Sequence, residues 1–486
     1  MAENQNFLNK AFHLLEKSMA AKNYDRENAL VVDYRDPKDM AKEIDFDLEG
    51  NGRKYGDDEL LQDFEKTIKL SVNSGHPHFF NQMFTGHDPY AVAAGCLLEC
   101  RNTSLYTYEM APVFTLAEKS VINYLASLTG FGESYNGIFV PGGSMGNFFG
   151  LNLARNLRFP SVKEKGMTEV KKMAIFASEQ CHYSIGKGAA FLGYGIDAVK
   201  RIRCEESGRM SVEALREKVK ETIEEGIVPL MVVAVSGTTV MGAFDDLEGI
   251  AKVCKEFSMY MHVDGCWGGP ALLSEKRRHL LKGIEHADSF VWDAHKMFGA
   301  TQQCAVFVTK HKDLLKQAHG QAASYLFQPD RYYDVAYDSG DMSIQCGRKA
   351  DAFKAWFILK ARGKKQVDLM IDHAFGIAEY FADLIRDTEG FKLVHEPQCT
   401  NVCFWYIPPC LRGNGERDDK WWQRLGKVAP KIKEKMMRKG SMMIGYQPLG
   451  HRVNFFRIVI PHLNSTKEDM EFVRDEINRL GKDIIV

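Results

Sequence analysis

At 486 residues the chain exceeds what one ordinary core holds, so two or three domains are expected. Its 63 lysines and arginines nearly cancel 64 aspartates and glutamates, and the net charge of -1 argues against nucleic acid or a membrane surface as a partner. With 45% hydrophobic and 26% charged residues the balance is that of a soluble globular protein.

The N-terminus "MAENQNFLNKAFHLLEKS" lacks the basic start, apolar stretch and small-residue cleavage site of a secretory signal. Apolar positions recur every three or four residues in "FLNKAFHLLEKSM" and again in "DELLQDFEKTIKL", which predicts helices separated by a linker, "EIDFDLEGNGRKYGDDE". Residues 1–75 are therefore read as a helical segment that packs on something else, such as a second subunit. Residues 76–355 alternate short β-branched runs with amphipathic stretches, the pattern of an α/β layer with a mostly parallel sheet. In such sheets ligands bind beyond the carboxyl ends of the strands. The densest apolar run, Ile227 to Val235, is too short to span a bilayer. Residues 356–486 read as a smaller α+β domain, with "NVCFWYI", "SMMIGYQ" and "VNFFRIVI" as strands. Eleven cysteines without C-x-x-C pairs fit reduced thiols in the cytoplasm, with neither a disulfide framework nor a metal site.

Chemistry concentrates in a few stretches. "YMHVDGCWGGP" carries Asp264 at the end of an apolar strand, and "SFVWDAHKMFG" carries Lys296 in a second apolar setting. Each charge alone has an ordinary explanation, a turn cap for the acid and a surface position for the lysine. Together they suit pyridoxal phosphate, which forms an imine with a lysine while a carboxylate keeps its ring nitrogen protonated. "PGGSMGN" brings Gly143 and Ser144 to the start of a helix, where backbone N–H groups can receive a phosphate. His182 follows a strand in "SEQCHYS", where an imidazole can stack on a ring or remain structural. "ASYLFQPDRYYDVAYDSGD" is long and aperiodic, as a mobile lid or a surface connection would be.

These stretches, with "HPHFFNQMFTGHDP", "NTSLYTYEMAPVF", "SGTTVMGAFD", "IQCGRKAD" and "FFRIVI", resemble the group II pyridoxal-phosphate amino-acid decarboxylases, closest to their acidic branch of cysteine sulfinate, glutamate and aspartate enzymes. The resemblance runs from about Tyr55 to Ile485. It implies an aspartate-aminotransferase-like (fold type I) homodimer with a mostly parallel seven-stranded sheet, a small α+β C-terminal domain and an active site at the subunit interface. By matching positions, it implies that Lys296 carries pyridoxal 5'-phosphate, Asp264 meets the ring nitrogen and His182 stacks on the ring. Gly143 and Ser144 would hold phosphate with His295 nearby, and Thr239 would lie beside the cofactor. Arg457 would clamp the substrate carboxylate, Gln82 would touch substrate, and Tyr325 would deliver a proton from a mobile loop.

Two family positions read Ser and Asn in glutamate enzymes but Phe and Ser in cysteine sulfinate enzymes; here they are Phe84 and Ser104. An aromatic ring shortens the pocket and a small hydroxyl leaves room for a sulfinate. The resemblance thus favours cysteine sulfinate or cysteate, giving hypotaurine or taurine, ahead of aspartate giving β-alanine and glutamate giving GABA. An aldehyde synthase is disfavoured because both His182 and Tyr325 are present. Two departures stand out. Asp293-Ala294 replaces the usual Asn-Pro, an unfavourable carboxylate near a phosphate unless it points away or pairs, and Cys266 stands where Ala is common.

Overall fold

The computed structural model describes residues 2–20, 25–26, 29–48, 55–84, 86–168, 170–413, 417–460 and 464–486, so residues 49–54 of the expected linker lie outside the described residues. The chain divides into two compact units, one of residues 87–379 and 395–401, the other of residues 1–86, 380–394 and 402–486.

In the larger unit β1 (Asn136–Val140), β2 (Met173–Ser178), β3 (Val199–Ile202), β4 (Val228–Val235), β5 (Tyr260–Asp264), β6 (Ser289–Asp293) and β7 (Ala305–Thr309) form one seven-stranded sheet. Its order is β1-β7-β6-β5-β4-β2-β3. Neighbours from β3 to β6 pair in parallel, and only β7 runs against the rest, antiparallel to β6 and β1. The mostly parallel α/β sheet expected from the alternating runs is present. Both faces of such a sheet are covered, which is why its strands are continuous apolar runs rather than alternating ones. Every residue of β2, β5, β6 and β7 is buried.

The crossovers are α1 (Gly143–Arg158) after β1, α2 (Ser184–Phe191) after β2, α3 (Val212–Glu224) before β4 and α4 (Leu247–Glu256) before β5. The last two begin where side-chain oxygens cap them: Ser211 accepts from the Ala214 N–H and Asp246 from that of Gly249. Helix α4 buries Leu247, Ile250, Val253 and Cys254, the spacing of one helical face. Helix α1 lies unusually close to the sheet. A Cβ on Gly146 would sit 2.3 Å from Val291 Cγ2, and one on Gly150 would sit 2.8 Å from the His262 ring. Small residues on that face let the backbone approach β5 and β6.

In the smaller unit Phe79–Phe80 pairs in parallel with Met443–Leu449, which pairs antiparallel with Arg452–Val459. Asn401–Tyr406 and Phe391–Leu393 complete a five-stranded sheet. N-terminal residues belong to this unit because they bond to its C-terminal part. Val31 N–H donates to the Gly440 carbonyl at 2.8 Å, Met443 N–H donates to that of His78 at 3.0 Å, and Arg26 pairs with buried Asp469 at 2.5 Å.

One ion pair ties the larger unit's loops to its sheet. Arg348 is bidentate to Glu118, both buried, and its Nη2 also donates to the Leu105 carbonyl at 3.0 Å and to Ser339 Oγ at 2.6 Å. Glu118 Oε1 in turn accepts from the Phe139 N–H of β1 at 2.9 Å. Removing one member strands the other without compensation in a dry interior. Arg348→Ala is expected to lose about 3–5 kcal/mol in urea unfolding, while Arg348→Met with Glu118→Leu regains most of it. A single-variant loss under about 1 kcal/mol would remove the pair from its structural role.

Candidate active site

A cavity of about 260 Å³ lies beyond the carboxyl ends of β1, β2, β4, β5 and β6. The strand order brings five chain-distant turns to one place: Pro141–Ser144, His182, Gly237–Thr239, Asp264–Trp267 and Asp293–Lys296. Gly143, Ser144, His182, Thr239, Asp264, His295 and Lys296 all line it.

The turn into α1 passes through Gly142 at φ 127°, a left-handed conformation that favours glycine. A Cβ on Gly143 would stand 2.1 Å from Cys266 Sγ and 2.9 Å from each carboxylate oxygen of Asp293, so only hydrogen fits there. The first residues of a 16-residue helix, Gly143 and Ser144, thus line the cavity from a close-packed glycine turn, a cradle that suits a phosphate. With an amine and a carboxylate on the same walls, the donor set fits pyridoxal phosphate.

Asp264 ends β5 and is buried. Its Oδ1 accepts from the Cys266 N–H at 3.1 Å and its Oδ2 from Asn147 Nδ2 at 2.9 Å. Burial pushes its pKa up, but the hydrogen bonds from Cys266 and Asn147 and the charge of Lys296 outweigh it, leaving the carboxyl below its ordinary value. Asn147 is the hub of a longer network. Its Nδ2 also donates to Ser184 Oγ at 2.9 Å, and Ser184 Oγ lies 2.8 Å from His182 Nδ1. Its Oδ1 lies 2.9 Å from His262 Nε2, and His262 Nδ1 lies 2.8 Å from Ser289 Oγ. Both Asn147 donors are engaged, so the His262 Nε2–H must donate and its Nδ1 must accept from Ser289.

Lys296 Nζ stands 2.9 Å from Asp293 Oδ2. Burial lowers the ammonium's pKa, yet Asp293 and the more weakly acting Asp264 overcome it and raise the group above the usual lysine range. The departure at Asp293 is thereby resolved as a pair. Burial pulls both His182 and His295 below the ordinary imidazole value. It drives the Cys266 thiol well up, so that side chain packs as a neutral thiol. The Thr239 carbonyl accepts from Asn401 Nδ2 at 3.1 Å, and Asn401 Oδ1 accepts from Trp267 Nε1 at 2.6 Å, which pins two walls together.

Ser104 and Tyr325 do not line this cavity. Ser104 Oγ accepts from the Arg348 N–H at 2.9 Å, and Tyr325 is 80% exposed on a loop gathered by Arg331. Gln82, Phe84 and Arg457 belong to the smaller unit. There Arg457 Nη2 donates to the carbonyl of Asn81 at 3.4 Å, and Lys433 Nζ donates to Asn81 Oδ1 at 2.7 Å, so Gln82 follows a residue held from two sides. Phe84 packs against Phe79, ring centroids 6.4 Å apart.

Asn147, Ser184, His262 and Asn401 were not singled out as site residues from the sequence. Asn147 and Ser184 lay inside "PGGSMGN" and "SEQCHYS", and His262 two residues from Asp264, whereas Asn401 stood beside no chemical motif. His262 carries a pH consequence. Burial lowers its pKa from 6.5 to about 4, despite the opposing pull of Asp264. Its contribution to stability is complete above about pH 6.5 and is lost as pH falls towards about 4, up to about 3 kcal/mol. Urea midpoints from pH 4 to 7 are expected to fall more steeply in the native chain than in His262→Gln; parallel profiles would show that His262 is not buried neutral.

Comparison with known proteins gives the chemistry its family. A model described as "Pyridoxal-dependent decarboxylase conserved domain" matches residues 37–407. Human cysteine sulfinic acid decarboxylase is 47% identical over 93% of this chain and 92% of its own. Acidic amino acid decarboxylase GADL1 of Xenopus tropicalis is 44% identical over 99% of this chain and 93% of its own. The crystal structure of mouse CSAD superposes with a TM-score of 0.96 at 42% identity, covering 99% of both chains. The fold is the expected fold type I. A phosphate cradle, a half-buried lysine and a stabilised carboxylate in one cavity, together with these matches, establish that the chain belongs to the pyridoxal-dependent decarboxylases, carboxy-lyases that act on amino acids with pyridoxal phosphate as cofactor.

Proposed function

We propose that the substrate is a three-carbon acidic amino acid, cysteine sulfinate or cysteate, converted to hypotaurine or taurine. The observation that carries this reading is the pair Phe84 and Ser104: a bulky ring that shortens a pocket, and a hydroxyl able to donate to a sulfinate oxygen. The names of the relatives above, cysteine sulfinic acid decarboxylase and acidic amino acid decarboxylase, lend it support. Aspartate, differing mainly in the shape of its acid group, is the second substrate in order.

When bound, pyridoxal phosphate supplies an aldehyde for amines and a protonated ring that accepts the electrons released with CO₂. The chain's own residues do the rest. Gly143 and Ser144 at the start of α1 receive the phosphate, with His295 and Thr239 on adjoining walls. Asp264, kept ionised by Asn147 and the Cys266 N–H, would hold a proton on the ring nitrogen. His182, neutral and anchored through Ser184, would stack on the ring. Lys296 provides the amine that tethers the cofactor. By the resemblance, Arg457 would bind the substrate's α-carboxylate and so orient it, and Gln82 would touch the substrate. Tyr325 delivers a proton to the substrate α-carbon, and the loop carrying it excludes water meanwhile.

Tyr325 being so exposed fits a homodimer in which a second copy completes each site. Exposed Tyr90 and Leu97 on the helix Pro89–Arg101 and Val113 and Leu116 on Pro112–Thr129 supply apolar surface for such an interface. Among the described residues no disulfide joins the cysteines, in keeping with a cytoplasmic setting. Among the described residues no helix is long and apolar enough to cross a membrane.

Product assays with cysteine sulfinate, cysteate, aspartate and glutamate side by side test the substrate reading. Phe84→Ser with Ser104→Asn is expected to raise the glutamate-to-cysteine-sulfinate ratio of kcat/KM by about 10- to 100-fold. An equal loss on all four acids would remove both residues from the pocket. Lys296→Ala is expected to bind pyridoxal phosphate without the visible absorption of a lysine-bound cofactor and to give no measurable product. Retained turnover would transfer the lysine's role elsewhere.

A further inference from the structure

We propose that Asp293 is the resting counter-ion of Lys296, and that releasing this pair, with loss of one proton, governs how fast and how tightly the chain captures its aldehyde cofactor. The inference rests on the reading of Lys296 as the cofactor-binding lysine, and it concerns a residue at which this chain departs from the Asn of the family it resembles.

Asp293 is the last residue of β6 and is 2% exposed. One carboxylate oxygen, Oδ2, lies 2.9 Å from Lys296 Nζ, three residues on in the same turn. The other, Oδ1, is buried with no hydrogen-bond partner among the described residues. Both are pressed against Gly143, where even a methyl group would be 2.9 Å away. His295 Nε2 lies 3.7 Å from Oδ2, but burial keeps that imidazole neutral, so Lys296 is the charge that balances the acid. A buried carboxylate with one unsatisfied oxygen holds its cation firmly, because parting leaves an uncompensated charge in a dry site.

Other groups face Lys296 from each neighbouring element: Asp264 from the end of β5, Cys266 from the turn after it, His295 from its own turn and His182 from the turn after β2. Cys266 and the two histidines are neutral. Asp264 is committed to Asn147 and the Cys266 N–H, which leaves Asp293 as the close partner.

The chemical consequence is direct. An ammonium has no lone pair. Lys296 must first give one proton to solvent; its nitrogen then bonds the aldehyde carbon, the carbonyl oxygen departs as water, and no electrons pass to any oxidant. Asp293 opposes the first of these events. An asparagine of the same shape would contact the lysine without charge and leave a larger fraction of it neutral.

The test follows capture of pyridoxal phosphate by the full chain freed of cofactor, using visible absorption and tryptophan fluorescence across a pH series. A nearby opposite charge raises a lysine by about one unit or more, so Asp293→Asn is expected to capture about tenfold faster at neutral pH, with its pH profile displaced about one unit lower. Pyridoxal, which lacks the phosphate, is expected to gain as much. An unchanged rate and profile overturn the proposal, and so does a gain confined to the phosphorylated cofactor, which would assign the carboxylate's action to the phosphate. If the variant does not fold, the native chain decides. Its pyridoxal capture is expected to keep rising past about pH 10, and a plateau below that overturns the idea. Failure of the native chain to acquire visible absorption with pyridoxal phosphate would overturn the cofactor assignment of Lys296 along with it, an outcome distinct from an unaltered Asp293→Asn.

Discussion

The site depends on a buried polar chain that begins at Ser289 and ends at His182. It passes through His262 and the amide of Asn147, where it divides towards Asp264 and Ser184. Each member has a partner, so the chain is stable in a low-dielectric interior where a half-satisfied one would be costly. It forms only because α1 lies against β5 and β6 at glycine distance, which brings Asn147 within reach of both the β5 acid and the β5 histidine. Packing thus decides the hydrogen bonds, and the hydrogen bonds decide that Asp264 is ionised.

Electrostatics then divides the two acids of the cavity. Asp264 is held by neutral donors, an amide side chain and a backbone N–H, and remains available to a cation placed above it. Among the described residues Asp293 has no neutral donor, and it is paired directly with Lys296. The same residue type at two strand ends therefore has two characters, set by which groups surround each carboxylate. The histidines follow the same logic: burial keeps His262, His182 and His295 neutral, which suits stacking and hydrogen bonding and leaves Lys296 as the cation beside the two acids.

The scaffold explains why the chemistry sits where it does. Parallel strands end on one edge, and each of five turns contributes only one or a few cavity residues. No turn alone makes a site; adjacency in the sheet does. The Arg348–Glu118 pair performs a similar service at β1, joining the backbone around Leu105 to the strand that leads into the glycine cradle.

Much of this was legible in the linear chain. Continuous apolar runs ending in glycine and polar residues specify a covered parallel sheet with a ligand edge, because a strand buried on both faces cannot alternate. Motifs such as "HVDGCW" and "WDAHKMFG" picked out cavity residues, since charges at the ends of apolar strands need a partner. What the chain order could not express were partners brought from far away: Ser184, though it closes the motif "SEQCHYS", and Asn401 reach their contacts with Asn147 and Trp267 across 37 and 134 residues. Nor could spacing decide whether Asp293 pairs or points away, because that depends on how closely α1 packs on β6. Residue type and periodicity determined the layers and the chemical inventory. Only the tertiary structure decided which acid is held by neutral donors and which one is neutralised by the lysine, since that is fixed by distances of about three ångströms between groups that sequence separation does not encode.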